Sequence, residues 1–149
     1  MSDTYTNGGE SMKKILFVAS ECVPFIKTGG LADVVGSLPK YLNKDEFEVR
    51  VILPKYLAIK DEYKSQMTYK THFYIDLAWR RQYVGIQELV YEGIKFYFID
   101  NEFYFAGSKP YGEIYEDIEK FAFFSLAALS AIPSLDFRPD IIHCHDWQT

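Results

Sequence analysis

Two short runs of this chain carry residue types at spacings that could do chemistry. The first is Phe25-Ile26-Lys27-Thr28-Gly29-Gly30-Leu31-Ala32-Asp33-Val34, which follows an apolar stretch, Lys14 to Ser20, and opens an amphipathic helical pattern. Adjacent Gly29 and Gly30 place no Cβ between the backbone and a ligand. The helix behind them presents unpaired N–H groups and the positive end of its dipole. Lys27 adds a full positive charge. Together these are the parts of a phosphate-holding device, and they point to a nucleotide or sugar-nucleotide. A turn that needs glycine merely to start a helix explains the same letters without a ligand, and that alternative stays open here. The spacing is neither the three-glycine dinucleotide fingerprint nor the P-loop with its Gly-Lys-Ser/Thr. Asp33 falls in the helix's first turn, where it either complements the dipole or hydrogen-bonds sugar hydroxyls.

The second run is His143-Cys144-His145-Asp146-Trp147, at the end of a short apolar strand pattern. Period-two alternation puts His143 and His145 on one face. Such a pair beside Cys144 and Asp146 could hold zinc, but the ligand set is incomplete for a closed site, and no metal is expected. A parallel strand is buried on both faces, so a hydrogen-bonded structural histidine is the expectation for at least one of them. Asp146, just past the strand, is a candidate for contacting substrate or orienting a loop. Trp147 either stacks on a sugar ring or faces the core. Glu21 ends the first strand at the same edge, where it lines a cleft or caps the loop. Tyr111, between Gly107 and Gly112 and next to the latter, either faces that cleft or packs its loop down. His72, mid-strand, carries no functional weight.

These residues need elements to position them. Lys14 to Ser20 reads as a strand. The following helix presents Leu31, Val34, Val35, Leu38 and Leu42 as one stripe. Glu48 to Leu53 is a second strand stopped by Pro54, which completes a βαβ unit and implies a parallel sheet. Tyr69 to Trp79 and Gln82 to Glu92 read as an antiparallel insertion, and Ile94 to Asp100 returns to the parallel sheet. Glu113 to Ala131 is a helix expected to bury Ile118, Phe121, Ala122, Leu126 and Leu129, with Phe121 to Phe124 as helix core. Asp140 to His145 is the last strand. The fold class is therefore α/β, a Rossmann-like open sheet, mostly parallel, with an antiparallel insertion.

The bulk numbers set limits. The 149 residues fit one domain, and 48% hydrophobic with 25% charged residues is globular composition. A net charge of −5 with no basic cluster argues against nucleic acid. No apolar run approaches the roughly 20 residues that span a bilayer, and no signal-peptide core appears, so the expected location is cytoplasmic. Cys22 and Cys144 form no disulfide framework and are expected to be free thiols. Met1 to Ser11 is polar and reads as a disordered extension, leaving 12–149 as the domain. That domain reads as incomplete, because the chain stops at the carboxyl edge of its last strand, where open parallel sheets bind ligands.

The order of Ala19-Ser20-Glu21, Lys27-Thr28-Gly29-Gly30-Leu31-Ala32-Asp33-Val34, Val51-Ile52-Leu53-Pro54, Pro110-Tyr111-Gly112 and His143-Cys144-His145-Asp146-Trp147 resembles the N-terminal domain of bacterial glycogen synthases and plant starch synthases. The resemblance covers Lys13 to Thr149. It implies the first half of a two-domain GT-B glycosyltransferase that moves glucose, with retention, from ADP-glucose to the non-reducing end of an α-1,4-glucan. On that resemblance Lys27, Thr28, Gly29 and Gly30 would bind ADP-glucose, with Tyr111 and His145 as further substrate contacts. Asp33 and Asp146, the catalytic candidates, would line the glucose and acceptor side. The expected partners are ADP-glucose, an α-1,4-glucan and a C-terminal domain that this sequence lacks; no cofactor is implied. Without that domain the chain alone is expected to be inactive. The alternative is a non-catalytic doubly wound module that binds an anion or a partner.

Overall fold

The computed structural model describes residues 11–107 and 109–149. A single six-stranded sheet organises them, with strands β1 (Lys13–Val18), β2 (Phe47–Pro54), β3 (Thr68–Leu77), β4 (Arg80–Tyr91), β5 (Ile94–Asp100) and β6 (Ile141–Cys144). Their spatial order is β3-β4-β5-β2-β1-β6. The four strands β5, β2, β1 and β6 pair in parallel, and the β3–β4–β5 meander is antiparallel. The expected open sheet with an antiparallel insertion is what forms. The expected extension Met1 to Ser11 lies outside the described residues apart from Ser11.

Helix α1 (Gly30–Tyr41) carries the chain from β1 to β2, and α4 (Ile114–Ala131) carries it from β5 to β6, on the far side of β1. Right-handed crossovers in these two directions put the helices on opposite sheet faces. The winding therefore reverses between β1 and β6, and the loops leaving their carboxyl ends part to make a crevice. The two chemically suggestive runs are those two loops. Short helices α2 (Asp61–Lys64) and α3 (Glu102–Phe105) punctuate the connections after β2 and β5.

The core is aromatic where the loop after β1 is anchored. Phe25, 3% exposed, sits edge-on to Tyr63, Tyr91, Phe96 and Phe98 at ring separations of 4.8 to 5.5 Å. Edge-to-face packing of this kind adds roughly 0.5–1.5 kcal/mol per pair to the burial itself. Cys22 and Ile26 exchange backbone hydrogen bonds of 3.1 and 3.0 Å, closing the loop on itself. The ligand-facing loop is thus fixed by core packing on one side.

Helix faces differ from the sequence expectation. In α1 the buried residues are Ala32, Val35, Gly36 and Pro39, while Val34 is 51% exposed and Leu31, Leu38 and Leu42 are half-buried. The helix closes on Val23 through Gly36, so small residues rather than the bulkiest ones mark its inward arc. In α4 Phe121, Phe123, Phe124, Ala127, Ala128 and Ala131 are buried, but Ile118, Ala122, Leu126 and Leu129 are exposed. That helix is apolar on two arcs, and only one of them meets the sheet. β6 departs as well. Among the described residues it is an edge strand, and all four of its residues are exposed, so the expected burial on both faces is not met within them.

Candidate functional site

The loop after β1 is built around a buried carboxylate. Glu21, 2% exposed, accepts hydrogen bonds from both the backbone N–H and the hydroxyl of Thr28, each 2.6 Å, through its Oε2. Of its two sequence readings, capping is the geometry that forms. The bond fixes Thr28 and so aims the next peptides, Gly29 and Gly30, at the crevice. Gly29 occupies the N-cap of α1 with no side-chain hydrogen bond to the helix. The first-turn N–H groups therefore have no N-cap side chain to accept from them.

The two glycines are not needed by the fold itself. Gly29 has φ −155° and ψ −163°, extended backbone that any residue adopts. A Cβ at Gly29 would find only Glu21 Oε1 at 3.9 Å, and one at Gly30 would meet nothing within 4 Å. Neither position requires glycine for lack of space, although glycine is also a favoured N-cap residue, as Gly29 is here.

Lys27 does not lie free beside those amides. Its Nζ donates to both carboxylate oxygens of Asp33, at 2.8 and 2.7 Å, with both side chains about half exposed. An ammonium has three N–H donors, so one stays available for an anion. Asp33 is thereby oriented by Lys27 as much as by the helix dipole.

Tyr111 joins the loop before α4 to this edge. Its hydroxyl is 2.7 Å from Ser20 Oγ, and Tyr56 donates to the Ser20 carbonyl at 2.8 Å. Asp117, buried, accepts from the Gly112 N–H at 2.9 Å and from Lys120 at 2.7 Å, which holds the Tyr111 loop against α4. Burial pushes the Tyr111 hydroxyl's pKa up against the opposing hydrogen bond with Ser20, and the carboxylates of Glu21 and, more weakly, Asp146 add to the rise. Facing the crevice and fastening the loop are not exclusive at this residue.

At the end of β6 the histidines stack. The rings of His143 and His145 are 4.2 Å apart at 30°, and both lie 4.8 Å from Phe17. His145 is 7% exposed, and its Nε2 is buried with no hydrogen-bond partner among the described residues. The expectation of a hydrogen-bonded histidine for at least one of the two is not met at His145 among the described residues. Burial, with the neighbouring His143 as the lesser cause, lowers the His145 pKa to about 4, so its ring is neutral at pH 7. Asp146 follows with φ +68°, a left-handed conformation that aspartate tolerates better than most residues, and its carboxylate accepts from the Trp147 N–H at 2.8 Å. Trp147 is 54% exposed rather than core-facing, with its ring edge-on to Phe121 at 5.6 Å. Among the described residues no group of three or more His, Cys, Asp or Glu gathers as a metal-binding set. Cys22 and Cys144 are free thiols; burial pushes Cys22 up to about 12, which leaves it a protonated core residue.

The structure brings Lys27, Thr28, Gly29, Gly30 and Asp33 together on one loop and helix start, and Tyr111 ties them to the Asp146 edge. Ser20, named only within the Ala19-Ser20-Glu21 run, and Tyr56 received no role from the sequence. Ser20 carried one usable signal, its place at the carboxyl end of β1. Tyr56 carried none, since its role depends on long-range packing.

An open sheet with its crevice at the switch point, a glycine loop on one lip and a His-Asp corner on the other define one half of an open-sheet α/β protein. Residues 14–149 match the starch synthase catalytic domain, and the chain belongs to that family. A glycogen synthase of Lachnoclostridium phytofermentans is 73% identical over 138 residues, covering 93% of this chain and 29% of the relative. One of Desulforamulus reducens is 57% identical over 136 residues, covering 91% and 28%. Among solved structures, the catalytic domain of starch synthase IV from Arabidopsis thaliana, bound to ADP and acarbose, superposes with a TM-score of 0.76. It is 32% identical and covers 93% of this chain and 29% of that one. The chain thus spans under a third of the length of these relatives. None of its described helices is long and apolar enough to cross a membrane.

Proposed function

We propose that these residues form the N-terminal wall of a cytoplasmic glucosyltransferase that moves glucose from ADP-glucose to the non-reducing end of an α-1,4-glucan, with retention. Residues 12–149 are, on this reading, the incomplete first Rossmann-like domain, preceded by an extension over Met1 to Ser11. The observation that carries it is the pair Gly29–Gly30, glycine at two positions where the folded chain has room for a side chain. What such positions exclude is a Cβ against a ligand, and the uncapped N-terminus of α1 favours an anionic one.

The chemistry follows from charge. As the glucosyl bond breaks, negative charge grows on the departing diphosphate and positive charge on the anomeric carbon. Lys27, through its remaining N–H, and the amides from Gly29 onward stabilise the first. Asp33 and Asp146 hydrogen-bond sugar hydroxyls and favour the second. Thr28, locked by Glu21, keeps the amides aimed, and pre-aimed donors need no reorganisation at the moment of reaction. Neutral His145, with its open Nε2, and Tyr111 are polar contacts on the sugar side. Cations opposite this wall would come from the C-terminal domain, so the 149 residues alone transfer nothing.

The test is ADP release from ADP-glucose in the presence of glycogen by the full-length protein carrying this sequence. Activity that collapses in Lys27→Ala supports the reading. Full activity in that variant removes Lys27 from the site. ADP-glucose binding without any ADP release marks a non-catalytic anion-binding module instead.

A further inference from the structure

β3 is an edge strand of the described sheet, paired on one side only, with β4. Edge strands expose a row of backbone N–H and C=O groups, and proteins blunt them with proline, lysine or a bulge. Here the blunting is confined to the start of the strand, where the register shifts between Tyr69 and Thr71. From Thr71 to Leu77 the pairing is regular. That run, Thr-His-Phe-Tyr-Ile-Asp-Leu, contains neither proline nor lysine and is rich in residues that favour strands.

Which groups point outward follows from the hairpin. Leu77 and Arg80 flank the two-residue turn Ala78-Trp79, and such a flanking pair exchanges both of its hydrogen bonds. Alternation turns the backbone of Ile75, Phe73 and Thr71 towards β4 as well. The N–H and C=O groups of Asp76, Tyr74 and His72 therefore face away from the sheet.

The side chains of these same three residues share one face and are exposed. Tyr74 is 53% exposed, and Tyr69 and Trp79, near the two ends of the strand, are 61% and 87% exposed. The His72 ring is held in place. It stacks on Tyr83 with centroids 5.5 Å apart, and its Nδ1 lies 2.6 Å from the Tyr69 hydroxyl. A hydroxyl donating to Nδ1 leaves the proton on Nε2. Gly85, opposite His72, leaves room for the Tyr83 ring, which a Cβ there would approach to 2.9 Å. Arg81, the cross-strand neighbour of Asp76, turns to the Tyr74 ring, 5.2 Å from its centroid, and the Asp76 side chain stays exposed.

We infer that β3 pairs antiparallel with β3 of a second copy of this chain, about a two-fold axis through Tyr74. In that register Tyr74 faces its own copy, and His72 faces Asp76 of the second copy on either side of the axis. Each facing pair uses the outward backbone groups and exchanges both hydrogen bonds. The His72 Nε2–H donates to the Asp76 carboxylate, a charge-assisted bond that the symmetry makes twice. The Tyr74 rings meet at the axis, and each Trp79 comes alongside the Tyr69 end of the other strand. An axis through Phe73 would instead set Asp76 against Lys70, whose Nζ is already bound to Asp136 at 2.7 Å. β3 runs parallel to β5, so the carboxyl edges of the two joined sheets point in opposite directions and both crevices stay open. The pairing is independent of the glucosyl-transfer reading.

The test is sedimentation velocity on the full-length protein across roughly 1–100 µM, the range in which a modest interface associates. Wild type should show a concentration-dependent equilibrium between monomer and dimer. His72→Asp sets carboxylates against each other on both sides of the axis, and Tyr74→Lys sets two ammonium groups on it. Each should weaken association at least about tenfold, because the symmetry counts every substitution twice. The swap His72→Asp/Asp76→His should bring it back to within about threefold of wild type, which a damaged fold would not do. Tyr41→Ala, an 85% exposed aromatic on α1, should leave association unchanged. Amide hydrogen exchange of the wild type needs no variant. The amides of His72, Tyr74 and Asp76 should exchange more slowly as concentration rises, and those of Phe73 and Ile75, bonded to β4, should not change. A protein that is monomeric at every concentration overturns the pairing. So does a dimer that either substitution leaves intact, a folded swap variant that stays monomeric, or outward amides whose exchange ignores concentration.

Discussion

At Gly36 an added Cβ would come within 2.4 Å of Val23 Cγ2 and 2.9 Å of the Val23 carbonyl oxygen; at Gly30, six residues earlier on the same helix, it would meet nothing within 4 Å. The two glycines look alike in the sequence and answer to different demands. Gly36 is where α1 closes on the loop after β1, so the fold excludes a side chain there. Gly30 faces open space at the carboxyl edge, so the fold leaves room for a side chain there. The difference separates a glycine that packing requires from one that it does not, and it makes the proposed ligand role of Gly30 testable without disturbing the structure.

The largest effect sharpens the ligand side of that contrast. Lys27→Ala in the full-length protein should lower the rate of ADP release by roughly 100-fold, the scale of removing one pre-aimed stabiliser of transition-state charge. Steady-state kinetics with saturating glycogen would show it, and a drop below threefold would take Lys27 out of the charge-stabilising role. Next comes the packing side. Gly36→Ala should destabilise the domain by about 1–3 kcal/mol, the usual range for overpacking, as read by denaturant unfolding. A variant as stable as wild type would mean that Val23 yields easily and that the contrast is weaker than the distances suggest.

Gly30→Ala should do the opposite of Gly36→Ala. Its unfolding midpoint should stay at or slightly above wild type, because alanine restricts the unfolded chain and is compatible with a helix start. ADP-glucose affinity, measured by calorimetry, should fall about tenfold, equivalent to about 1.4 kcal/mol. Loss of stability with unchanged affinity would reverse the assignment of this glycine. The smallest effect concerns the Lys27–Asp33 ion pair. Both partners are half exposed, so its removal in Lys27→Ala should change stability by less than about 1 kcal/mol, even where activity collapses.

The second lip of the crevice adds a pH dependence. His145 has a folded-state pKa of about 4, below the ordinary value of 6.5, because burial disfavours its charged form. A group that resists protonation in the folded state contributes stability above its unfolded pKa. That contribution falls as the pH drops from about 6.5 towards 4. Unfolding midpoints followed across this window should decline, and His145→Asn should flatten part of the decline. An identical slope in the variant would place the pH sensitivity on other groups.

Much of this was legible from residue order because its causes are local. Strand, glycine pair and helix start follow one another within Lys14 to Tyr41, and the β3–β4–β5 meander is a run of neighbours in sequence. What was misread depended on which of several acceptable surfaces the sheet would take. Val34 belongs to the large-residue stripe of α1, but the helix approaches through Gly36, and closeness counted for more than bulk. α4 is apolar on two arcs, and periodicity cannot say that Phe121 and Phe124 face inward while Ile118 and Leu129 do not. β6 reads as a buried parallel strand from its letters, but its place at the sheet edge leaves Ile141 and Ile142 exposed.

The sequence by itself determined the element order, the parallel sheet with its antiparallel insertion, and the two runs that meet at one edge, since each rests on periodicity, turn chemistry and short-range spacing. Only the tertiary structure decided that Glu21 clamps Thr28, that Asp33 holds Lys27, that His145 is left with an unpartnered nitrogen, and that Arg80, Phe103 and Glu119 surround a cavity next to Tyr111. In the cavity, side chains as far apart in sequence as Arg80 and Lys120 are brought together by the sheet's winding. Even the contacts within the glycine loop depend on how the core fixes its backbone. A linear pattern does not encode which distant atoms share a hydrogen bond; packing does.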